Sequence, residues 1–177
     1  MGQVASFAAV KLFCGIIYRE DSERDRARHL LQVNLSAIER DTAPIPFTTT
    51  DYYFPEMGQP LWRQFVAFRQ TIDPAILADV KLMTNRIEFD LAHQGGGRTV
   101  NLDPGYLSSG NVVIATTKNY FHRIPLKNGI YAHLEYVIKK RRLTPLEWTY
   151  PDFKSMAYMD FFVGLLGDFT KKMSRQR

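Results

Sequence analysis

At 177 residues, with 45% hydrophobic and 23% charged side chains, the chain has an ordinary globular composition and no low-complexity tract that would stay unfolded. A lone cysteine, Cys14, excludes an internal disulfide framework or a cysteine-based zinc site and fits a reducing compartment. No apolar stretch reaches the ~18 residues of a membrane span and no signal-peptide pattern opens the chain, so the expectation is one α+β domain over residues 1–177 in the cytoplasm.

Met1-Gly2-Gln3-Val4-Ala5-Ser6 matches the N-myristoylation pattern, but no polybasic segment follows to supply a second membrane signal. The net charge of +5 is uneven. Between Lys118 and Arg142 seven cations stand against Glu135 alone, a local charge of +6 that leaves −1 for the remainder. Such a field attracts phosphate, nucleic acid or an acidic partner, or it keeps a hairpin tip soluble.

In chain order, the apolar run from Ala8 to Tyr18, rich in β-branched and aromatic residues, predicts a central strand. Ser22, with Asp25 three residues on, starts a helix whose face carries Ala27, Leu30, Leu31, Leu35 and Ile38. Pro44 and Pro46 break the chain into an extended segment through Phe47 to Phe54. A helix is expected from about Pro60, with Leu61, Phe65, Phe68 and Ile72 on one stripe. Asp73-Pro74 caps a short helix carrying Ile76, Leu77 and Val80.

From Thr84 to Leu91 the pattern alternates, which predicts a half-buried strand with a continuing helix as the alternative. Gly95-Gly96-Gly97 then turns into a strand through Val100 and Leu102. Further strands are expected at Asn111 to Thr117, Tyr120 to Leu126, Ile130 to Ile138 and Leu143 to Trp148, an antiparallel meander. After Pro151, Met156, Phe161, Phe162, Leu165, Leu166 and Phe169 give a closing amphipathic helix. The fold class is α+β, a mainly antiparallel sheet with helices packed on it.

No P-loop and no Gly-x-Ser-x-Gly elbow is present. Asn101-Leu102-Asp103-Pro104-Gly105-Tyr106 has turn chemistry, and a tight turn there would hold the Asp103 carboxylate and the Tyr106 hydroxyl at a sheet end. Asp51, Tyr52, Tyr53 and Glu56 form a second polar and aromatic cluster. In Thr116 to Arg123, Lys118 and Arg123 can grip phosphate oxygens and His122 titrates near neutrality. Asn128-Gly129 predicts a two-residue type I′ turn that places His122 opposite Glu135, which would raise the histidine pKa, with diagonal His133 completing a possible two-histidine, one-carboxylate set.

The blocks Tyr52-Tyr53-x-x-Glu56-Met57-Gly58, Lys81-x-x-Thr84-Asn85-x-x-Glu88, Arg98-x-Val100-Asn101-Leu102-Asp103-Pro104-Gly105-Tyr106-Leu107, Thr117-Lys118-x-x-x-His122-Arg123-Ile124, Gly129-Ile130-Tyr131-Ala132 and Trp148-Thr149-Tyr150-Pro151-Asp152 resemble a bacterial family classed as domain of unknown function 4416. The resemblance covers nearly the whole chain and implies a bacterial, cytoplasmic protein without assigning chemistry. Some members are labelled GTP-binding, but no stretch here matches a GTPase signature.

These residues support an anionic ligand, a nucleotide, phosphorylated small molecule or RNA, on an exposed sheet face. Asp103, His122 and Glu56 are the acid–base candidates, and Lys118, Arg123, Tyr106, Tyr53, Asn101 and Glu135 the ligand-binding candidates. The competing expectation is a non-enzymatic interaction protein that uses the basic turn Lys139 to Arg142. No cofactor is indicated.

Overall fold

All nine residues of strand β1 (Val10–Tyr18) are buried in the computed structural model, because β1 is paired on both edges and covered on both faces. The structure describes residues 2–94 and 96–175, so Met1 of the acylation pattern and Gly95 of the glycine run lie outside it. Antiparallel partners of β1 are β4 (Trp62–Ile72) and β5 (Val100–Leu107). Between them come helix α1 (Asp21–Asn34), strands β2 (Ile38–Asp41) and β3 (Ile45–Pro46), the single turn α2 (Phe54–Met57) and helix α3 (Leu77–Leu91).

The strand order β2-β4-β1-β5, antiparallel throughout, is a split βαβ arrangement with α1 and α3 as its two crossovers. Both helices lie on one face. Leu12, Cys14 and Ile16 of β1 there meet Ala27 and Leu31 of α1 and Val80, Ile87 and Leu91 of α3. Strands β6 (Asn111–Thr116) and β8 (Tyr131–Lys139) extend the sheet beyond β5. The short strands β7 (Ile124–Pro125) and β9 (Arg142–Pro145) both sit on the outer edge of β8, so the expected meander holds through β6 and β8 only.

The closing helix α4 (Met156–Arg175) covers part of the opposite face. Its Phe161 and Phe162 lie against Phe65 of β4, ring centroids 5.2 and 5.3 Å apart, and Tyr158 meets the same ring edge-on at 4.7 Å. Each such buried aromatic contributes roughly 1.5–3 kcal/mol. No helix among the described residues is long and apolar enough to cross a membrane.

Three expected elements are overturned. The helix from Pro60 is instead strand β4: Phe65 and Ala67 face α4 while Val66 and Phe68 face α1 and α3. A run buried on both faces has no polar side to show a period, and its apolar spacing coincided with a helical stripe. The strand at Thr84 to Leu91 is the second half of α3. Its alternation arose because α3 turns the polar Glu88 inward beside Ile87 and Leu91 while the aromatic Phe89 stays exposed. The Asp103-Pro104-Gly105 turn is the interior of β5, paired residue by residue with β1. Tyr120 to Leu126 contributes only the two ladder residues of β7, and helix α1 begins at Asp21, where the Glu20 amide donates to Glu23 Oε2 at 3.3 Å.

Candidate functional site

Strand β5 touches β6 only over Gly105 to Leu107, and from there back towards Val100 the two strands fork. Three local features make the fork. The amide and carbonyl of Leu102 point away from β1, and side chains of α3 take them: Leu102 N–H donates to Glu88 Oε1 at 2.7 Å, and Lys81 Nζ donates to Leu102 O at 2.6 Å. Backbone direction repeats every second residue, so Pro104 faces the same edge with no amide to offer and stops the ladder. Gly105 permits the final close approach, since a Cβ there would lie 2.4 Å from Val113 O and 2.5 Å from the Phe13 ring.

The fork opens a cleft of about 610 Å³, within the usual range for small-ligand sites. Its floor is β5 with Arg63 of β4. One wall is the segment Phe47 to Tyr53, held to the sheet by Phe47, Met57 and Leu61 packed on Ile17. The other wall is Tyr150 to Phe153, and the C-terminal end of β6 with Thr117 and Lys118 forms the rim.

Arg63 organises the floor. Its side chain is 4% exposed, Nη1 donates to Asp103 Oδ2 at 2.9 Å, and Nη2 lies 3.6 Å from Asp152 Oδ2. The guanidinium crosses β1 at Gly15, where a Cβ would sit 2.5 Å from Nη1, and its Cζ lies 5.3 Å from the Phe47 ring centre. Burial pushes the Asp103 carboxyl up, but Arg63, Lys81 and Asn101 outweigh it and the net shift is downward. Asp152 and Glu88 are raised by burial, which their neighbouring cations only partly offset. The floor therefore holds one firmly ionised carboxylate between two that retain protons more readily.

A second cation, Arg98, extends this network. It forks onto Glu56 at 2.7 and 3.0 Å, donates to Asn101 Oδ1 at 2.9 Å and lies 3.7 Å from Glu88. Asn101 Nδ2 passes the link to Asp103 at 2.9 Å. The hydrogen bonds from Arg98 hold the Glu56 carboxyl below its ordinary range. Lys118 differs: its Nζ stands 3.6 Å from the centre of the Tyr52 ring, and no described ion pair involves it. This is a cation on an aromatic face with donors left for a ligand.

Behind Tyr150 lies a second polar cluster. Arg123 donates through Nε to His133 Nδ1 at 3.1 Å, through Nη2 to the Tyr150 hydroxyl at 2.6 Å and through Nη1 to Lys118 O at 2.6 Å. With Nδ1 accepting, the His133 proton belongs on Nε2, which faces Glu135 Oε1 at 3.2 Å without hydrogen-bond alignment. His122 Nε2 is 3.1 Å from His133 Nδ1, and the His122 ring stacks on Trp148 at 5.0 Å. Burial, then Arg123, lowers His133 to about 4, while burial raises Glu135 well above its ordinary value.

The expected His122–Glu135 pair is thus corrected. Asn128 and Gly129 do adopt positive φ, 52° and 74°, and Ile130 N–H closes on Lys127 O. Leu126 N–H also bonds to Ile130 O, however, so a bulge inserts one residue and pairs Ile124 with Ala132 instead of His133. His122 meets His133, and its pKa moves down, through burial, His133 and Arg123, not up. No group of three or more His, Cys, Asp or Glu is arranged to hold a metal ion among the described residues.

Of the sequence candidates, Asp103, Asn101, Tyr53 and Lys118 line the cleft, and Glu56 borders it through Arg98. His122, Arg123 and Glu135 stand in the cluster behind. Tyr106 lies on the opposite sheet face with Leu77, Val113 and Ile130. The basic stretch splits: Lys139 to Arg142 is at the far end of β8, eight residue steps or about 26 Å from Tyr131. Arg63, Lys81, Asn85, Glu88, Arg98 and Asp152 were not singled out from the sequence, although all but Arg63 fall within the blocks quoted above. Five of those six blocks contribute to the cleft lining.

Neither a curated protein nor a solved structure matches the chain. A family model described as domain of unknown function DUF4416 matches residues 8–166, and the chain belongs to that family.

Proposed function

We propose that the cleft binds a small anionic ligand with a planar ring, a nucleotide or a phosphorylated small molecule, in the cytoplasm of a bacterial cell. The observation that carries this reading is Lys118: a rim cation, outside every described ion pair, poised on Tyr52 at the mouth of a cleft whose other cations are already engaged. A phosphate at the rim meets Lys118, and a ring inside meets Tyr53, Tyr150 and the polar edge Asn101–Asp103. One uncommitted lysine suits a single phosphate better than a triphosphate.

In this reading Glu56 orients Arg98, and Asp103 accepts hydrogen bonds from the ligand. Any proton transfer falls to Glu88 or Asp152, whose raised pKa values suit donation. His122 acts at one remove, through His133, Arg123 and Tyr150. The test is calorimetric titration of the protein with nucleoside monophosphates and sugar phosphates, together with identification of whatever ligand copurifies. Binding by the wild type, weakened at least tenfold by Lys118→Met, is the expected result. An unchanged affinity in that variant, or a copurifying ligand with no anionic group, overturns the proposal.

A further inference from the structure

The cleft does not account for the surface beside it. Tyr120 is 59% and Phe121 84% exposed, neither lines the cleft, and both belong to the rim segment between β6 and β7. Water-facing rings of this kind on a loose loop would mean little, but this segment is tied down. Arg123 fixes the backbone at Lys118 O and reaches into the fold at Tyr150 and His133, and His122 stacks on Trp148 with its plane tilted by only 10°. Tyr120 and Phe121 stand 5.1 Å apart, each ring within 5.3 Å of His122, and two residues upstream of Tyr120 the Lys118 ammonium sits on Tyr52.

The charge is equally one-sided. Residues 117 to 123 contain Lys118 and Arg123 and no acidic side chain, and no described ion pair gives either cation a carboxylate partner. Rings held with their faces or edges to water, next to a lysine that no described ion pair engages, are the chemistry that binds single-stranded nucleic acid: bases stack and a phosphate meets the cation.

We propose that the cleft takes the terminal nucleotide of a single-stranded oligonucleotide and that Tyr120 and Phe121 stack the base next to it. The inference rests on the cleft reading above and narrows its substrate class from a free nucleotide to a strand end. The platform carries no side chain positioned to read base edges, so it tolerates any base, and selection falls to the end nucleotide inside the cleft.

The experiment compares a nucleoside monophosphate with RNA and DNA hexanucleotides at fixed salt, by calorimetry and fluorescence anisotropy, on the wild type and on Phe121→Ala and Tyr120→Ala/Phe121→Ala. The hexamers should bind at least tenfold tighter than the monophosphate, and duplex competitor should displace them poorly. The double variant should lose about tenfold or more for hexamers. It should keep its affinity for the monophosphate, which does not reach those rings. Phe121→Ala, at the most exposed position, supplies the same reading if the double variant folds poorly. Monophosphate binding with no gain for hexamers, or a gain that survives both variants, rejects the platform and leaves the cleft reading standing. No binding of either ligand rejects both. Preference for the RNA or the DNA hexamer identifies the natural strand.

Discussion

Arg63 is the residue whose removal the structure makes most consequential. Arg63→Met keeps an unbranched aliphatic stem and deletes the guanidinium that lies over the Phe47 and Phe65 rings and crosses Gly15 to Asp103 and Asp152. What remains is a carboxylate 22% exposed and another 11% exposed, facing the same space without their cation. Breaking a buried pair from one side costs about 3–5 kcal/mol, roughly a fifth or more of an ordinary domain's stability of about 5–15 kcal/mol. With a urea m-value of about 2 kcal/mol/M, the unfolding midpoint should fall by about 2 M.

The pH dependence supplies the sharper check. In the wild type Asp103 has a depressed pKa, so its contribution is fully present above the ordinary aspartate range and disappears only as pH falls through the lower folded value. In Arg63→Met only Lys81 and Asn101 still oppose the burial, and the folded pKa rises above its wild-type value. Relative to wild type such a carboxyl destabilises most at pH 7, and its deficit shrinks as acid protonates it. Urea unfolding at pH 7 and pH 4.5 should therefore show a smaller difference from wild type at the lower pH, and adding Asp103→Asn should recover part of the loss at pH 7. A deficit under about 1 kcal/mol at pH 7, or one that grows on acidification, refutes the reasoning.

His133 should stay neutral down to about pH 4 by NMR titration, against about 6.5 when unfolded, so stability drains by about 3 kcal/mol between those pH values before the opposing contribution of Glu135; a midpoint near 6 would contradict the neutral Nε2–H assignment. Gly105→Ala should destabilise because its Cβ meets the Val113 carbonyl and the Phe13 ring, and Gly15→Ala because its Cβ displaces the buried Arg63 guanidinium from Asp103; a wild-type midpoint in chemical denaturation for either variant would disprove this. Cys14, fully buried in β1 and with its thiol pKa pushed up by burial, should resist small thiol reagents until the protein unfolds, and rapid labelling of the native protein would count against the central strand.

What the sequence revealed depended on whether a segment buries one face or two. The first strand was legible because its nine residues are apolar or small but for Lys11 and rich in β-branched and aromatic side chains, and α4 because its polar face stays in water. Strand β4 and the second half of α3 were misread for a common reason. Each turns a charged group inward at the cleft: Arg63 in the first, Glu88 in the second. Periodicity assumes that polar means outside, and at these positions that assumption fails. The same applies to Asp103-Pro104-Gly105, where turn-forming residues serve a strand by ending its pairing with β6 on one edge. One bulged residue at Leu126 then moved His122 from Glu135 to His133, because a register shift of one carries every later pair with it.

These misreadings fall where the chain departs from what its fold needs. A sheet of this size would be more stable with β5 and β6 paired along their full length, Leu102 bonded to a neighbouring strand and apolar side chains in place of Arg63, Lys81 and Glu88. Instead Pro104 ends the ladder early, two side chains of α3 stand in for a strand, and Arg63 is carried across β1 over a glycine to reach a carboxylate. Each device is unfavourable alone, and together they hold a polar cleft open through the middle of a sheet. Packing gives no reason for them to occur in one place. The ligand proposed above would supply one, since its binding energy would offset the lost pairing, and its stabilisation of the protein should act first on the amide protection of β5 and β6.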